Sequence, residues 1–599
     1  MAAEVAECSV MEAGGTGGKS AGDCATTDYK SGEVGLVREL KWTGAFWIAT
    51  GVPPLILFSV GGTASVAGHV TFIVFIASML MGFSQSFTYA EMAGMFPHKS
   101  GGASVYGALA WLPYSTFVAP LSVWCNWFAW SPVLSLGCSI SAGYILNLLF
   151  PVSPTGEQPP IRLWKLAALE IPGLGVLTFN MTFFLGLAEM LLMFAIQHRG
   201  VRSTARIQKV LAIIVLVPLL LAGLVPILSG GIHWDNFEPI VPPTAPNSGV
   251  DGAWDKSGMT LFMGAMYMGA WTTYGFETAV CYTSELKNPR RDTLKSIVSA
   301  GLLCMVFFSL IPFAFQGVMS LDALTDPSIV DGTGIAMALG NMLGGNQVIT
   351  EIYVILMILA LFLSIMTAMA GSSRTLYQGS KDGWLPKYLS AVNERGAPTG
   401  AMWTDFLFNV ILLALASDAH GYYFVMAVSN VGYITFNFLN LNAGWIHRID
   451  SSHLPRAWRA PTALIAFNTL LSYVNAFFLG AGAKVWGYRN ALWVGWIFAL
   501  LIFPVFAFRH YVQDGGNFPA DSKDSREVDV QDGGKFAGLD KDPSEVGVGD
   551  GGKVHGDDKD QREVGLGKPK AGVLPYLCLL LGVAIAVWAD WFFEMPEAS

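Results

Sequence analysis

Glu277 is the ionisable side chain set deepest in the apolar runs of this chain, inside GMTLFMGAMYMGAWTTYGFETAV. A carboxyl at that depth is expensive to keep in hydrocarbon, which marks it as a candidate for binding or relaying charge. Trp271, Thr272 and Thr273 precede it, offering a broad ring and two hydroxyls that can satisfy helix carbonyls or a ligand. Gly264, Gly269 and Gly275 loosen the same run. A second interrupted run, WTGAFWIATGVPPLILFSVGG, carries Gly51, Pro53, Pro54 and Leu55 near its middle. Each proline removes an N–H and crowds the preceding turn, so two in succession after a glycine open a helix. Irregular backbone persists at membrane depth only where protein encloses it or it lines a cavity. Paired interruptions at matching places in two halves of a chain therefore point to a solute-binding site. Ordinary packing also bends helices at Pro-Pro; the matched pair favours function.

Other residues are weaker candidates. Glu189 and Asp405 lie nearer the ends of their runs, where a solvated or paired structural role fits, and Glu91 closes a run as a structural charge in YAEMAGMFP. Trp124, Trp127 and Trp130 fall at i, i+3 and i+6 and share roughly one helix face, the pattern of a packing stripe or interface anchor. AGGTGGKS at 13–20 fits a loose phosphate-loop pattern, but the strand before it and the helix after it that this chemistry requires are missing. Asn180-Met181-Thr182 is a glycosylation sequon set inside an apolar run, out of reach of a glycosyltransferase. Of seven cysteines, Cys8 and Cys24 lie in the polar N-terminal tail and the rest in apolar runs, so no disulfide framework is implied. Metal-ligand clusters and nucleophile–base arrangements are absent from the sequence pattern, so neither an enzyme nor a cofactor or metal is expected.

The elements that must hold these residues are membrane-spanning helices. The chain is 53% hydrophobic and 13% charged, with a mean hydropathy of +0.48; soluble domains carry about 25% charged residues. Many runs approach the ~20 residues a spanning helix requires. They predict an all-α integral membrane protein with spans at 42–64, 69–96, 117–146, 174–198, 208–229, 258–283, 294–319, 347–373, 402–418, 420–447, 462–481, 489–511 and 572–592. The interrupted runs are the first and sixth, five apart, as an inverted five-plus-five repeat requires. Sixteen Lys and Arg fall in loops on one side, among them Arg199, Arg202, Arg290, Arg291, Arg374 and Arg456. The other side has five: Arg162, Lys165, Lys256, Lys484 and Arg489. Lys and Arg mark cytoplasmic loops, so the N-terminus is expected in the cytoplasm and 151–172, 230–257 and 320–346 outside. The expected location is the plasma membrane.

Residues 1–41 are polar and Gly-rich and lack the apolar stretch of a cleavable signal, so a disordered cytoplasmic tail is expected, with the first span as insertion signal. Three segments, 513–530, 531–548 and 549–566, repeat without gaps at a period of 18, each keeping D-G-G, K-D and E-V. Repeats form a solenoid when their units bury a shared core; these have almost nothing apolar to bury, and a disordered cytoplasmic insert at 512–570 is expected. A transport core at 42–511 precedes it, and 571–599 adds a further span. Seven acids against four bases in 1–41 and fourteen against nine in 512–570 account for −8 of the formal −9. The core is thus close to neutral, with no basic face for nucleic acid.

Four segments carry a family resemblance. AEMAGMFPHKSGGASVY, which holds Glu91 and ends at Tyr106, resembles the end of the second helix in the amino acid–polyamine–organocation (APC) permeases. GFETAVCYTSELKNPRR, from Gly275 to Arg291, is similar to their sixth-helix exit. SRTLYQGSKDGWLPKYLSAVNERGAP, from Ser373 to Pro398, is similar to the segment after helix eight, and PRAWRAP, from Pro455 to Pro461, to the one before helix eleven. The four occur in the family's order across 42–511; the repeats and the thirteenth span have no counterpart in it. The resemblance implies the LeuT-type inverted-repeat fold, with a small-molecule substrate held between the unwound parts of helices one and six and released by alternating access. It implies that Trp271 closes over the substrate and that Glu277 acts in gating or proton coupling.

Departures from the family pattern bear on substrate and ion. The family's helix-one Gly-x-Gly, whose bare amides bind a carboxylate, is replaced by Gly51-Val-Pro-Pro-Leu. The N–H groups of Leu55, Ile56 and Leu57, at the start of the next half-helix, remain to attract an anion. Proton-coupled relatives carry a helix-five lysine where Val215 aligns, while Ser364 and Thr367 in helix eight offer oxygens of the kind that bind sodium. The coupling ion, H+ or Na+, is left open. The reading is a secondary transporter of amino acids; a polyamine or organic-cation transporter of the same fold, or a non-transporting nutrient sensor, are the alternatives.

Overall fold

The computed structural model describes residues 36–151, 157–330, 332–417, 419–486, 490–516, 527–528, 564–565 and 569–595. The AGGTGGKS segment lies outside these residues, as do the 18-residue repeats apart from their first four residues and a two-residue pairing of Glu527–Val528 with Val564–Gly565.

The first expected span divides where its sequence said it would. Helix α1 (Trp42–Ala49) ends before Gly51, a 3-10 turn covers Pro53–Leu55, and α2 (Ile56–Ala67) resumes. Helix α3 (Thr71–Met95) follows, then α4 (Ala103–Trp111), α5 (Val118–Trp130) and α6 (Val133–Leu149), the last two parting at Ser131-Pro132.

The next element corrects the sequence reading. The span expected from 174 begins instead at Met181, because Lys165–Ile171 (β1) and Gly175–Asn180 (β2) form an antiparallel hairpin. Its turn is Ile171-Pro172-Gly173-Leu174, with Gly173 at φ +80° and the Leu174 N–H donating to the Ile171 carbonyl at 3.0 Å. Pro followed by a positive-φ glycine is the chemistry of a type II turn; the apolar content of β2 hid that strand within a helical window, while β1 fell in the expected loop. Asn180 is therefore not buried mid-span. It caps α7 (Met181–Gln197), its side chain accepting from the Phe183 N–H at 3.0 Å, as capping residues do.

Helix α8 (Val201–Leu228) leads into a long loop, and α9 (Lys256–Thr273) starts on the Asp255 cap. From Tyr274 to Glu285 the chain continues as twelve residues of 3-10 helix, before α10 (Pro289–Val318), α11 (Gln347–Lys381), α12 (Thr399–Ala416), α13 (Ala419–Asp450) and α14 (Thr462–Gly482). Helices α15 (Ala491–Leu500) and α16 (Ile502–Ala507) make the twelfth span and α17 (Leu574–Phe592) the thirteenth.

Ten helical stretches among the described residues are long and apolar enough to cross a membrane, and one of them, Trp42–Met95, contains two of the expected spans. Met181–Gln197, a shorter apolar helix, and α9 stand at the two other expected positions. The molecule is thus an all-α membrane protein with one short hairpin. Of these ten stretches the α13 one is the most enclosed, with 94% of its apolar window buried against 22% for α17, so α13 is a core element and α17 a peripheral one.

The resemblance motifs converge at one end of the bundle, where they supply buried ion pairs. Glu91 accepts from Arg456 at 2.5 Å, from Arg448 at 2.6 Å and from the Ala460 N–H at 2.9 Å. Lys99 pairs with Asp382 at 2.5 Å, and the Arg374 guanidinium grips both oxygens of Glu285. Buried charges persist only when paired and hydrogen-bonded, as these are.

Candidate functional site

The first interruption is fixed from outside itself. Gly51 presses against α11 so closely that a Cβ would overlap the Leu363 carbonyl and the Thr367 hydroxyl; no other residue fits there. Opening the helix frees carbonyls, and side chains from two other helices satisfy them. Ser364 Oγ donates to the Gly51 carbonyl at 2.8 Å, Thr367 Oγ1 to the Ile48 carbonyl at 2.5 Å, and Gln208 Nε2 to Thr367 Oγ1 at 3.1 Å and the Ile48 carbonyl at 3.4 Å. Pro53 and Pro54 have no N–H to satisfy. The amides expected to attract an anion are already in use: Leu55 N–H donates to the Val52 carbonyl at 2.9 Å and Ile56 N–H to the Pro53 and Pro54 carbonyls. The Gly51 N–H makes no hydrogen bond among the described residues.

The same geometry leaves Val215 away from the interruption. Val215 sits in an apolar patch with Leu57, Pro218 and Tyr353, and the residue that reaches the interruption is Gln208, two turns earlier and fully buried. Sequence gave no sign of it, since a Gln in the first, more polar half of such a stretch resembles a solvated residue.

The second interruption keeps its own backbone bonds in a tighter spiral and presents side chains. A 3-10 run beyond about three or four residues is uncommon and marks a hinge or strain; here it spans twelve. Just before it, Thr272 Oγ1 donates to Ser59 Oγ on α2 at 2.8 Å, and Trp271 lies with its ring centre 6.4 Å from that of Phe58. These two contacts bring the sixth-helix residues against the resumed first helix. Thr273 shares its hydroxyl with Ser78 at 3.0 Å. Gly275 is required because a Cβ would run into the ring of Trp130. That indole in turn donates to Glu277 Oε1 at 3.2 Å. Glu277 is 3% exposed, and its Oε2 has no hydrogen-bond partner among the described residues. No hydrogen bond or ring contact among the described residues joins Glu277 to the Gly51–Leu55 turn, so the nine candidate residues form two neighbouring groups rather than one.

Trp130 was grouped by spacing with a packing stripe, and the structure separates the three rings. Trp124 donates to the Phe498 carbonyl at 3.0 Å, Trp127 to Asp405 Oδ1 at 2.9 Å, and Trp130 to Glu277. Asp405 is fully buried and also accepts from Ser372 at 2.6 Å, a paired position rather than a solvated one. Glu189 accepts from Ser141 at 3.0 Å. Behind Glu277 runs a polar chain that sequence did not reveal. Tyr274 donates to Asn475 at 3.1 Å, Asn475 to Asn437 at 2.9 Å, and Asn437 to Gln85 at 2.8 Å and to the Tyr89 hydroxyl at 2.7 Å. Isolated Asn and Gln in apolar runs become legible as a network only once α3, α13 and α14 are side by side.

Two interrupted helices in contact, enclosed by a multi-pass apolar bundle, define a membrane transporter of the broken-helix class. The amino acid permease family profile matches residues 40–506, and the chain belongs to that family, within the APC superfamily. It is 24% identical over 74% of its length to the branched-chain amino acid permease BcaP of Lactococcus lactis, covering 88% of that protein. The branched-chain amino acid permease BcaP of Bacillus subtilis is 22% identical, with 72% and 85% covered. The large neutral amino acids transporter small subunit 2 of rabbit (Oryctolagus cuniculus) is 23% identical, with 70% and 71% covered.

Proposed function

We propose that this protein carries an amino acid across the plasma membrane by alternating access, as an ion-coupled symporter or an exchanger. The observation that carries the reading is the contact between the two interrupted helices, Thr272 to Ser59 and Trp271 beside Phe58. It supports a five-plus-five inverted repeat with substrate between helices one and six. Gly51, Pro53, Pro54 and Leu55 shape one wall; Trp271, Thr272, Thr273, Gly275 and Glu277 shape the other. Pro53, Pro54, Leu55 and Trp271 give the walls apolar surface that suits an apolar amino acid side chain, in keeping with the branched-chain and large-neutral amino acids for which the relatives are named. The free Gly51 N–H suits the substrate carboxylate. The Lys and Arg bias supports a cytoplasmic N-terminus. On this reading 42–511 is the transport core, 512–570 a cytoplasmic insert and 571–599 an added span.

Purified protein in liposomes, offered labelled amino acids and polyamines with and without proton and sodium gradients, tests this directly. Uptake of leucine, isoleucine or valine is expected, and Trp271→Ala should lower it while the protein still inserts. Wild-type uptake by that variant removes Trp271 from the site. A polyamine or organic-cation substrate is the second reading, favoured by the unpaired, buried Glu277 Oε2. Saturable putrescine uptake without amino acid uptake selects it.

A further inference from the structure

The thirteenth span touches the bundle along one seam and leaves a hole beside it. On the seam, Gly480 lies so near α17 that a Cβ would overlap the Ala586 carbonyl, and Lys484 pairs with Asp590 at 3.2 Å. Next to it is a cavity of about 280 Å³, framed by Leu121, Phe438, Trp496, Ala499, Leu579 and Val583. One polar side chain lines it, Thr435, whose hydroxyl is already donated to the Val431 carbonyl at 2.7 Å. Such a wall offers water nothing and stays dry; left empty, its lining forfeits dispersion contacts. Leu500 and Val583, on its rim, are 49% and 54% exposed, so the cavity opens sideways from the bundle toward the surrounding hydrocarbon.

One turn before Leu579, Tyr576 donates to the Tyr114 carbonyl at 2.6 Å, and the exposed Lys570 lies just beyond the start of α17. Tyrosines and a lysine at a helix end are what the headgroup level of a bilayer favours. We propose that the cavity holds one acyl chain of a membrane phospholipid, with its headgroup beside Tyr114, Tyr576 and Lys570. The consequence reaches the site, because α13 is shared. Ile434 and Phe438 face the cavity, while their neighbours Tyr433 and Asn437 reach Tyr274 and Gln85 on the opposite side. A chain in the cavity props α13 against the sixth-helix interruption.

The full-length protein, reconstituted with a phosphatidylcholine bearing a photoactivatable group in its acyl chain, tests this by peptide mass spectrometry. Leu579–Val583 and Leu500 should label several-fold more than Val217 and Leu221 of α8, which are 52% and 50% exposed. Filling the cavity by Ala499→Leu, or separately by Thr435→Leu, should bring the two regions to parity in protein that retains its size-exclusion profile. Equal labelling in the unaltered protein overturns the proposal, and so does loss of the label to excess sterol but not to excess phosphatidylcholine. The readout involves no transport, so it holds or fails independently of the substrate assignment.

Discussion

The two interrupted helices solve the same problem in opposite ways. The first opens abruptly at Thr50–Val52 with two prolines behind it, and its freed carbonyls are satisfied by Ser364, Thr367 and Gln208 from helices α8 and α11. The second contains no proline, stretches over twelve residues, and is surrounded by side chains with unfilled hydrogen-bonding capacity: Glu277 Oε2, Tyr433 Oη and Gln85 Nε2. One is held by its neighbours, of which only Gln208 keeps an unpartnered atom, Oε1; the other holds itself among several unsatisfied side chains. On the proposed reading the first interruption is the anchor, and the second is the part that accommodates cargo and changes state.

Substitutions at the two glycines probe that contrast most severely. Gly51→Val forces carbon into the Leu363 backbone carbonyl, and overpacking of this kind costs about 1–3 kcal/mol or more. Uptake in liposomes should fall to background and the melting temperature in detergent should drop. Gly275→Ala meets only the edge of the Trp130 ring, so pairing it with Trp130→Leu should restore folding. No side-chain partner change should rescue Gly51→Val; if Thr367→Ser does, the first interruption is not backbone-locked. Next in size is Glu277→Gln. Hydrogen bonds to charged groups contribute about 1.5–3 kcal/mol, and each 1.4 kcal/mol is about tenfold, so uptake should fall roughly 10- to 100-fold with insertion unchanged. Unaltered uptake would remove Glu277 from the site.

Gln208→Leu should act on stability more than on transport. It leaves the Ile48 carbonyl to Thr367 alone, a loss of about 1 kcal/mol that a thermal melt can read. The smallest effect is expected for Thr272→Val, which deletes the hydroxyl shared with Ser59; such bonds between membrane helices average about 0.6 kcal/mol. A loss at Thr272 as large as at Glu277 would mean that the contact between the two helices, not the carboxyl, governs uptake.

Much of this was readable in the chain. Pro53-Pro54 after Gly51, and the glycines around Trp271, announced both interruptions because helix-breaking chemistry is local. The four family segments were legible as a resemblance, but not the ion pairs they make, which join residues 89 to 365 apart in sequence. What stayed hidden depended on neighbours distant in sequence. Gln208 and Ser59 become site residues only because α8 and α9 lie beside the first helix, and Trp130 left its stripe because Gly275 made room for its ring. The hairpin at 165–180 stayed hidden although Ile171-Pro172-Gly173 spelled its turn, since an apolar strand such as β2 and an apolar helix look alike over so short a length, and the expected loop at 151–172 absorbed β1.

Residues ahead of the first helix give that end of the molecule a built-in reporter. Leu40 pairs in parallel with Leu286, its N–H donating to the Glu285 carbonyl at 3.0 Å and its carbonyl accepting from the Lys287 N–H at 2.8 Å. The lead-in to helix one and the exit of helix six are thus stitched by main chain, independent of side-chain identity. Spin labels at Arg38 and Lys287 would register separation of those two strands, turning a backbone clasp into a distance gauge for the opening of that face.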